Sequence, residues 1–313
     1  FAGDKSRHGP MCTVLGPDML TIRQEPVFIA PSQPYSQGSG FEGHEFFEAP
    51  SIRKAGDTYY FIYSSVVFHE LCYATSKSPT QGFQYGGVII SNNDLGIGTY
   101  KPADKPMYYG GNNHGSMVQI GEKWYIFYHR QTNGTSFSRQ AMAQEIQILP
   151  DGSIPQVEMT SCGLNGGPPV GKGTYPAHIA CNLFCDWEST YSGGIAGNEY
   201  WVDVHCPRVT QDGRDGDQEP GYILNMIHSA TAGYKYFDCQ GVTKVTLRVR
   251  GYCSGAFQIK TSWDGPVLGE IPVRFTNVWK DYSTQVELPD GVNALYFTYV
   301  GPGSAALLSF TLE

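Results

Sequence analysis

The chain has 313 residues, 41% of them hydrophobic and 16% charged, and a formal net charge of −8. This excludes general disorder and leaves enough chain for two domains with ordinary cores. The acidic balance argues against a nucleic-acid partner, and no apolar run is long enough to cross a membrane. Aromatic residues make up 13%, with 38 Gly and 20 Pro, which favours many short strands joined by tight turns. The sequence opens at Phe1 without an initiating Met, inside a stretch that already reads as structured, so a processed or N-terminally incomplete chain is expected. No signal peptide is visible, and both a secreted and a cytoplasmic setting stay open.

The first informative stretch is Phe46-Phe47-Glu48-Ala49-Pro50-Ser51, followed by the strand-like run Thr58-Tyr59-Tyr60-Phe61-Ile62-Tyr63. A carboxylate between aromatics and a proline is expected to be desolvated and kept protonated near neutral pH. A protonated Glu48 facing a cavity is what glycoside cleavage needs in order to protonate a leaving group. Glu42 and Glu45 are rivals that lie outside the aromatic-to-proline slot.

Residues 51–63 reappear as an echo at 116–128, an offset of 65 residues. Both copies read as strand, Gly-containing hairpin, then apolar strand. Further strands follow at Leu71 to Ser76, Gly86 to Ser91 and Arg139 to Leu149. The offset suits a propeller blade with an inserted loop, and two blades cannot close a ring that needs about four or more. The expected fold is therefore all-β, beginning with a partial propeller. The echo places Glu48 and His114 at the starts of blade strands, which converge on the central channel.

The stretch Thr160 to Cys185 is rich in Gly and Pro and reads as a long ordered connection. Beyond it the pattern changes to an antiparallel β-sandwich of jelly-roll kind. Strands are expected at Lys244 to Arg250, Ala256 to Ser262, Glu270 to Phe275, Tyr282 to Leu288, Ala294 to Val300 and Ala305 to Leu312. Asp264-Gly265 and Asp290-Gly291 are turn signals. The acidic stretch Gln211 to Pro220 reads as a solvated loop, since its ligand spacing and closing residue are wrong for an EF-hand. The predicted division is 1–180 for the propeller part and 181–313 for the sandwich. Eight cysteines lack zinc-site spacing and read as mostly buried thiols, with room for one disulfide.

The ordered motifs Glu45 to Lys54, Glu70 to Ser76, Asn112 to Ser116, Trp124 to Arg130, Ser138 to Gln140 and Val157 to Gly167 resemble glycoside hydrolase family 43. These are five-bladed propeller enzymes acting on arabinose- and xylose-containing polysaccharides. The remainder resembles the family 6 carbohydrate-binding modules that often follow such propellers. The resemblance implies that Glu48 is the general acid. It implies that His114 points to the propeller centre, holding a structural Ca2+ ion or contacting substrate, and that Arg139 contacts substrate or tunes the acid. Arg130 is an alternative to Arg139. Phe46, Phe47 and Trp124 are candidate stacking faces for a sugar, and core packing competes for Phe46 and Trp124. Trp187, Trp201, Tyr234, Tyr236, Trp263 and Trp279 form the aromatic pool of the sandwich, with Trp279 expected in the core.

Family members invert configuration with two carboxylates and take the general-base Asp and a pKa-tuning Asp from earlier blades. Asp4 and Asp18 are the only early aspartates here, and neither sits at the start of a blade strand. The general base is therefore expected to be missing from this chain. Three readings stand: a glycosidase acting on xylan- or arabinoxylan-derived sugars, a non-catalytic carbohydrate-binding fragment, and one subunit of a split enzyme. A homo-oligomer or a complementing chain would complete the propeller in the last.

Overall fold

The computed structural model describes residues 8–67, 69–92, 94–98, 113–133, 137–185, 206–214 and 217–313. Asp4, Asn112, Trp187 and Trp201 lie outside them. Strands β1 (Met11–Leu15) and β2 (Ile22–Phe28) form an antiparallel hairpin. Strands β3 (Phe46–Ala55), β4 (Thr58–Ser65), β5 (Glu70–Ser76) and β6 (Gln84–Ser91) form a four-stranded meander. Strands β7 (Ser116–Ile120), β8 (Lys123–Gln131) and β9 (Arg139–Ile146) form a three-stranded one.

The echo is structural. The two-residue hairpin turns at Gly56-Asp57 and Gly121-Glu122 both need a left-handed residue, and glycine supplies it with φ of 56° and 62°. The repeat partners Ser51 and Ser116 touch, with their hydroxyl oxygens 2.7 Å apart. The first strands of the two sheets therefore lie side by side, as neighbouring blades of a propeller do. Alternation along β4 explains its unbroken apolar run. Tyr60 and Ile62 face a core shared with Met117, Ile126 and Tyr128 of the next sheet. Phe61 and Tyr63 face the opposite side, against Ile29, Ala30 and Phe41. The hairpin beyond that second core leaves Met19 71% and Leu20 85% exposed, together with Met11, Ile22 and Phe28.

The other strands are β10 (Gly173–Pro176), β11 (Asn182–Phe184), β12 (Arg208–Thr210), β13 (Tyr222–Met226), β14 (Thr231–Cys239), β15 (Lys244–Lys260), β16 (Gly269–Gln285), β17 (Gly291–Val300) and β18 (Gly303–Leu312). They join into one nine-stranded sheet that nearly closes on itself and stays unsealed. Its order is β11-β14-β17-β15-β18-β13-β12, with β10 on β18 and β16 on β15. Strand β15 changes partner along its length: Val245 to Cys253 pair with β18, and Ala256 to Lys260 with β17. Where the sequence suggests a break near Gly251, the structure has bulges between Val249 and Ser254. A bulge adds a residue without ending the strand. The short strands expected at 244–250 and 256–262 are thus one strand, as are those at 270–275 and 282–288. The core inside this sheet is built from Leu247, Val249, Phe257, Phe297 and Phe310, among others. Strand β10 belongs to this sheet although it precedes residue 181. No helix among the described residues is long and apolar enough to cross a membrane.

The two halves meet at a buried ion cluster. The Lys235 ammonium on β14 lies 3.0 Å from Asp94 and 3.0 Å from Glu158, and both Lys235 and Asp94 are fully buried. Asp94 also accepts the Met159 N–H at 2.7 Å and the Asn182 amide at 3.0 Å. Burial opposes the charge on Lys235, but Cys181, Asp94 and Glu158 hold its pKa above the ordinary lysine value. Removing one member leaves the others charged and unmatched in the interior. Lys235→Met is expected to cost ~3–5 kcal/mol in denaturant unfolding. Lys235→Met with Asp94→Asn is expected to recover a substantial part of that loss. A single variant within about 1 kcal/mol of the parent would show that the cluster does not hold the halves together.

Candidate active site

Glu48 sits in a disrupted stretch of β3. The pairing with β4 shifts register on both sides of it, between Phe46 and Glu48 and between Glu48 and Ser51. The next residue, Ala49, has φ of 61°, in the left-handed region that a residue with a Cβ adopts at a cost. Such bulges re-aim a side chain, and strain of this kind gathers where a site needs one direction. Glu48 points at the neighbouring blade: its Oε1 is 2.6 Å from His114 Nε2. At that separation one proton lies between carboxylate and imidazole. The two side chains are 26% and 40% exposed, so the pair faces solvent in part and is not sealed among aromatics.

His114 is held at the start of β7 by a polar ladder. Buried Asn113 donates to the Asn92 Oδ1 at 3.2 Å, and Asn92 donates to the His129 carbonyl at 3.1 Å. The His129 ring lies 5.4 Å from the His114 ring, centroid to centroid. Arg139, across the β8–β9 pair, donates to His129 Nε2 at 3.0 Å. Burial first, then the positive charges of Arg139 and His114, push His129 down to about 4, with Glu48 opposing. His129 is thus a neutral imidazole at neutral pH. Accepting at Nε2 puts its proton on Nδ1, which is buried with no hydrogen-bond partner among the described residues.

The structure therefore brings three of the four expected site residues into one chain of contacts, running Glu48, His114, His129, Arg139. His129 is the member that sequence reasoning missed. Its signal lies in Tyr128-His129-Arg130, where Arg130 is the expected candidate. Arg130 is fully buried and reaches the other way, donating to the carbonyls of Ala180 at 2.5 Å and His178 at 2.9 Å and to Gln140 at 3.0 Å. It fastens β8 to the connecting segment. Phe47 is half-buried beside Glu48. Phe46 stacks on Phe61 at 6.0 Å, and Trp124 packs on the core between the blades.

The rival carboxylates are occupied locally. Glu45 is buried and accepts the Ser36 hydroxyl at 2.8 Å. Glu42 is exposed and accepts the Ser39 N–H at 3.1 Å. Asp18 caps the turn between β1 and β2, where bonds from Thr21 and Leu20 lower it to about 2. In the C-terminal half, Tyr234 is fully buried and donates to the Ala177 carbonyl. Tyr236 donates to Glu158, and Trp263 packs edge-on against Phe184. Trp279 is half-buried rather than in the core, and the Arg250 guanidinium lies over its ring at 4.3 Å.

A second polar group lies on the same blade. His44 Nδ1 is 2.6 Å from Glu70 Oε1, and the Cys72 sulfur and Ser65 hydroxyl bond to the same oxygen. Burial opposes the Glu70 charge, but the His44 and Ser65 bonds hold its pKa below the usual carboxylate range. These nitrogen, oxygen and sulfur donors are close enough to hold a metal ion. Calcium takes oxygen ligands, so this mixed set fits it poorly. At His114 the imidazole Nε2 is turned to the Glu48 carboxylate.

Compared with known proteins, 310 residues align at 68% identity with a xylosidase/arabinosidase of Thermoclostridium stercorarium, covering 99% of this chain and 65% of that protein. An arabinoxylan arabinofuranohydrolase of Paenibacillus polymyxa aligns over 285 residues at 26% identity, covering 84% of this chain and 40% of the other. Among solved structures, a glycoside hydrolase family 43 arabinoxylan arabinofuranohydrolase from Bacillus subtilis matches with a TM-score of 0.43 and 20% identity, over 96% of this chain and 58% of that one. The module CsCBM6-3 from Clostridium stercorarium matches with a TM-score of 0.37 and 18% identity, over 47% of this chain and 98% of that one. No protein-family model matches the chain. The chain is thus similar along nearly its whole length to a curated xylosidase/arabinosidase. The chain spans 65%, 41% and 32% of the length of three curated relatives it matches.

The depressed pKa of His129 has a consequence for stability. Between its ordinary 6.5 and about 4, the unfolded chain takes up a proton that the folded chain refuses. Stability is therefore lost as pH falls through that window and recovered as it rises. The melting temperature is expected to fall between about pH 7 and 4.5, and to fall less in His129→Gln. An unchanged slope in the variant would mean that His129 does not titrate abnormally.

Proposed function

We propose that the N-terminal half carries the acid of an inverting glycosidase acting on arabinose- and xylose-containing plant polysaccharides or their oligosaccharides. The observation that carries this reading is the Glu48–His114 pair at 2.6 Å, set by a bulge at the converging ends of two blades. Glu48 delivers a proton to the glycosidic oxygen as the bond to the anomeric carbon breaks. His114 orients the carboxyl and is the adjacent group able to exchange a proton with it. Arg139, steered by His129, offers N–H donors to sugar hydroxyls. Phe47 lies beside the acid, where a sugar ring would stack. Inversion also needs a carboxylate about 6.5–9.5 Å from the acid to activate water. We assign that general base, and the Asp that tunes the acid, to sequence outside this chain, in the earlier blades of a five-bladed ring.

One observation favours a second reading, in which this chain is one part of an assembly. The outer face of the β1–β2 hairpin exposes Met11, Met19, Leu20 and Ile22, a surface that another blade would cover. The cover would come from a complementing polypeptide or a second copy, and the C-terminal sheet would bind xylan-like chains as a carbohydrate-binding module.

The test is pentose release from arabinoxylan and xylan oligosaccharides, whose sugar leaving groups need a proton, by the chain and by Glu48→Gln. Glu48→Gln is expected to lower turnover by about 10²–10⁴-fold with an unchanged melting temperature. Turnover that survives the substitution would remove Glu48 from the mechanism. Release that appears only when a second polypeptide is added would favour the assembly reading.

A further inference from the structure

We propose that Cys185 and Cys206 form a disulfide that staples the open seam of the nine-stranded sheet. Cys185 follows β11 directly, and Cys206 lies just before β12. Those two strands are the opposite ends of the sheet order, and no backbone pairing joins them. At the seam the two sulfurs are 3.5 Å apart, and the residues are 1% and 2% exposed in the C-terminal core. Other thiols turn to oxygen instead: Cys72 to the Glu70 carboxylate, Cys162 to the Lys235 carbonyl, Cys181 to the Gly233 carbonyl. Among the described residues, the 185–206 pair brings sulfur to sulfur at a place where a sheet with free ends gains from a covalent tie.

The staple bears on the candidate site. Strand β12 holds Asn133, just past β8: the Val209 carbonyl accepts the Asn133 N–H at 2.9 Å, and Thr210 donates to the Asn133 side chain at 2.5 Å. Asn133 in turn donates to Ser138, next to Arg139, at 2.9 Å. Fixing the start of β12 therefore steadies Asn133 and, through it, Ser138 beside Arg139.

The oxidant is a small-molecule disulfide. One cysteine thiolate attacks it, releasing one small thiol and leaving a mixed disulfide. The second cysteine thiolate then displaces the other small thiol. Two protein thiols and one external disulfide become one protein disulfide and two external thiols. Both sulfurs are buried, so exchange takes place while the chain folds or when the seam opens. The cross-linked positions are 21 apart in sequence, and closing that loop restricts the unfolded chain.

The experiment refolds the full chain in a glutathione buffer with excess oxidised glutathione. The protein is then denatured without reductant, alkylated, and analysed by intact mass and peptide mapping. Six alkylated cysteines and a linked peptide pair carrying Cys185 and Cys206 are expected. The melting temperature of the oxidised chain is expected to lie several degrees above that of the reduced chain. That gap is expected to vanish in Cys185→Ser. Eight alkylated cysteines would overturn the proposal, as would a link between any other pair. Should the chain not refold, the same mapping on chain expressed with oxidising export decides by the same outcomes.

Discussion

The four-stranded sheet β3–β6 has to be covered on both faces, and much of the N-terminal half follows from that constraint. A sheet with one wet face alternates apolar and polar residues. Strand β4 instead buries Tyr60, Phe61, Ile62 and Tyr63 in succession, with even positions against one neighbour and odd positions against the other. Two such sheets stacked side by side bring their first strands together, which is why residues at an offset of 65 meet as Ser51 and Ser116. The same stacking brings Glu48 of one sheet to His114, two residues before the first strand of the next. The hairpin β1–β2 supplies the cover on the far side, and its own outer face is left apolar and exposed.

The C-terminal sheet is part of this frame. Lys235 reaches from β14 into a pocket made by Asp94, which follows β6, and Glu158 of the connecting segment. Arg130 and Gln140 hold the 177–180 turn from the blade side. Strand β12 holds Asn133. These contacts converge behind the β8–β9 pair that presents His129 and Arg139. The geometry of the candidate site thus depends on residues from both halves of the chain.

What the sequence made legible was local or periodic. The repeat could be read because each copy carries its own hairpin and apolar strand. Glu48 stands out because its setting is written in six consecutive residues, but the partial exposure of the pair could not be read there. The place of His129 could not, because its contacts come from sheet adjacency: Arg139 lies across a hairpin, and His114 lies in the preceding strand region. The Lys235 cluster joins residues 77 and 141 positions apart, so no local pattern announces it. The unbroken strand β15 was hidden by Gly251, Ser254 and Gly255, which read as a break and sit at or beside bulges. Trp279 reads as core from its strand context, yet it serves as a platform for Arg250 near the surface.

The most direct test of the central claim, that Glu48 is the group aimed at a glycosidic oxygen, is a crystal structure of Glu48→Gln soaked with an arabinoxylan oligosaccharide. The account predicts a sugar bound at the converging ends of β3 and β7. Its glycosidic oxygen would lie within about 3 Å of the side-chain amide introduced at position 48, and a hydroxyl would face Arg139. Sugar bound on the C-terminal sheet alone, with the Glu48 end of the blades empty at saturating ligand, would contradict it.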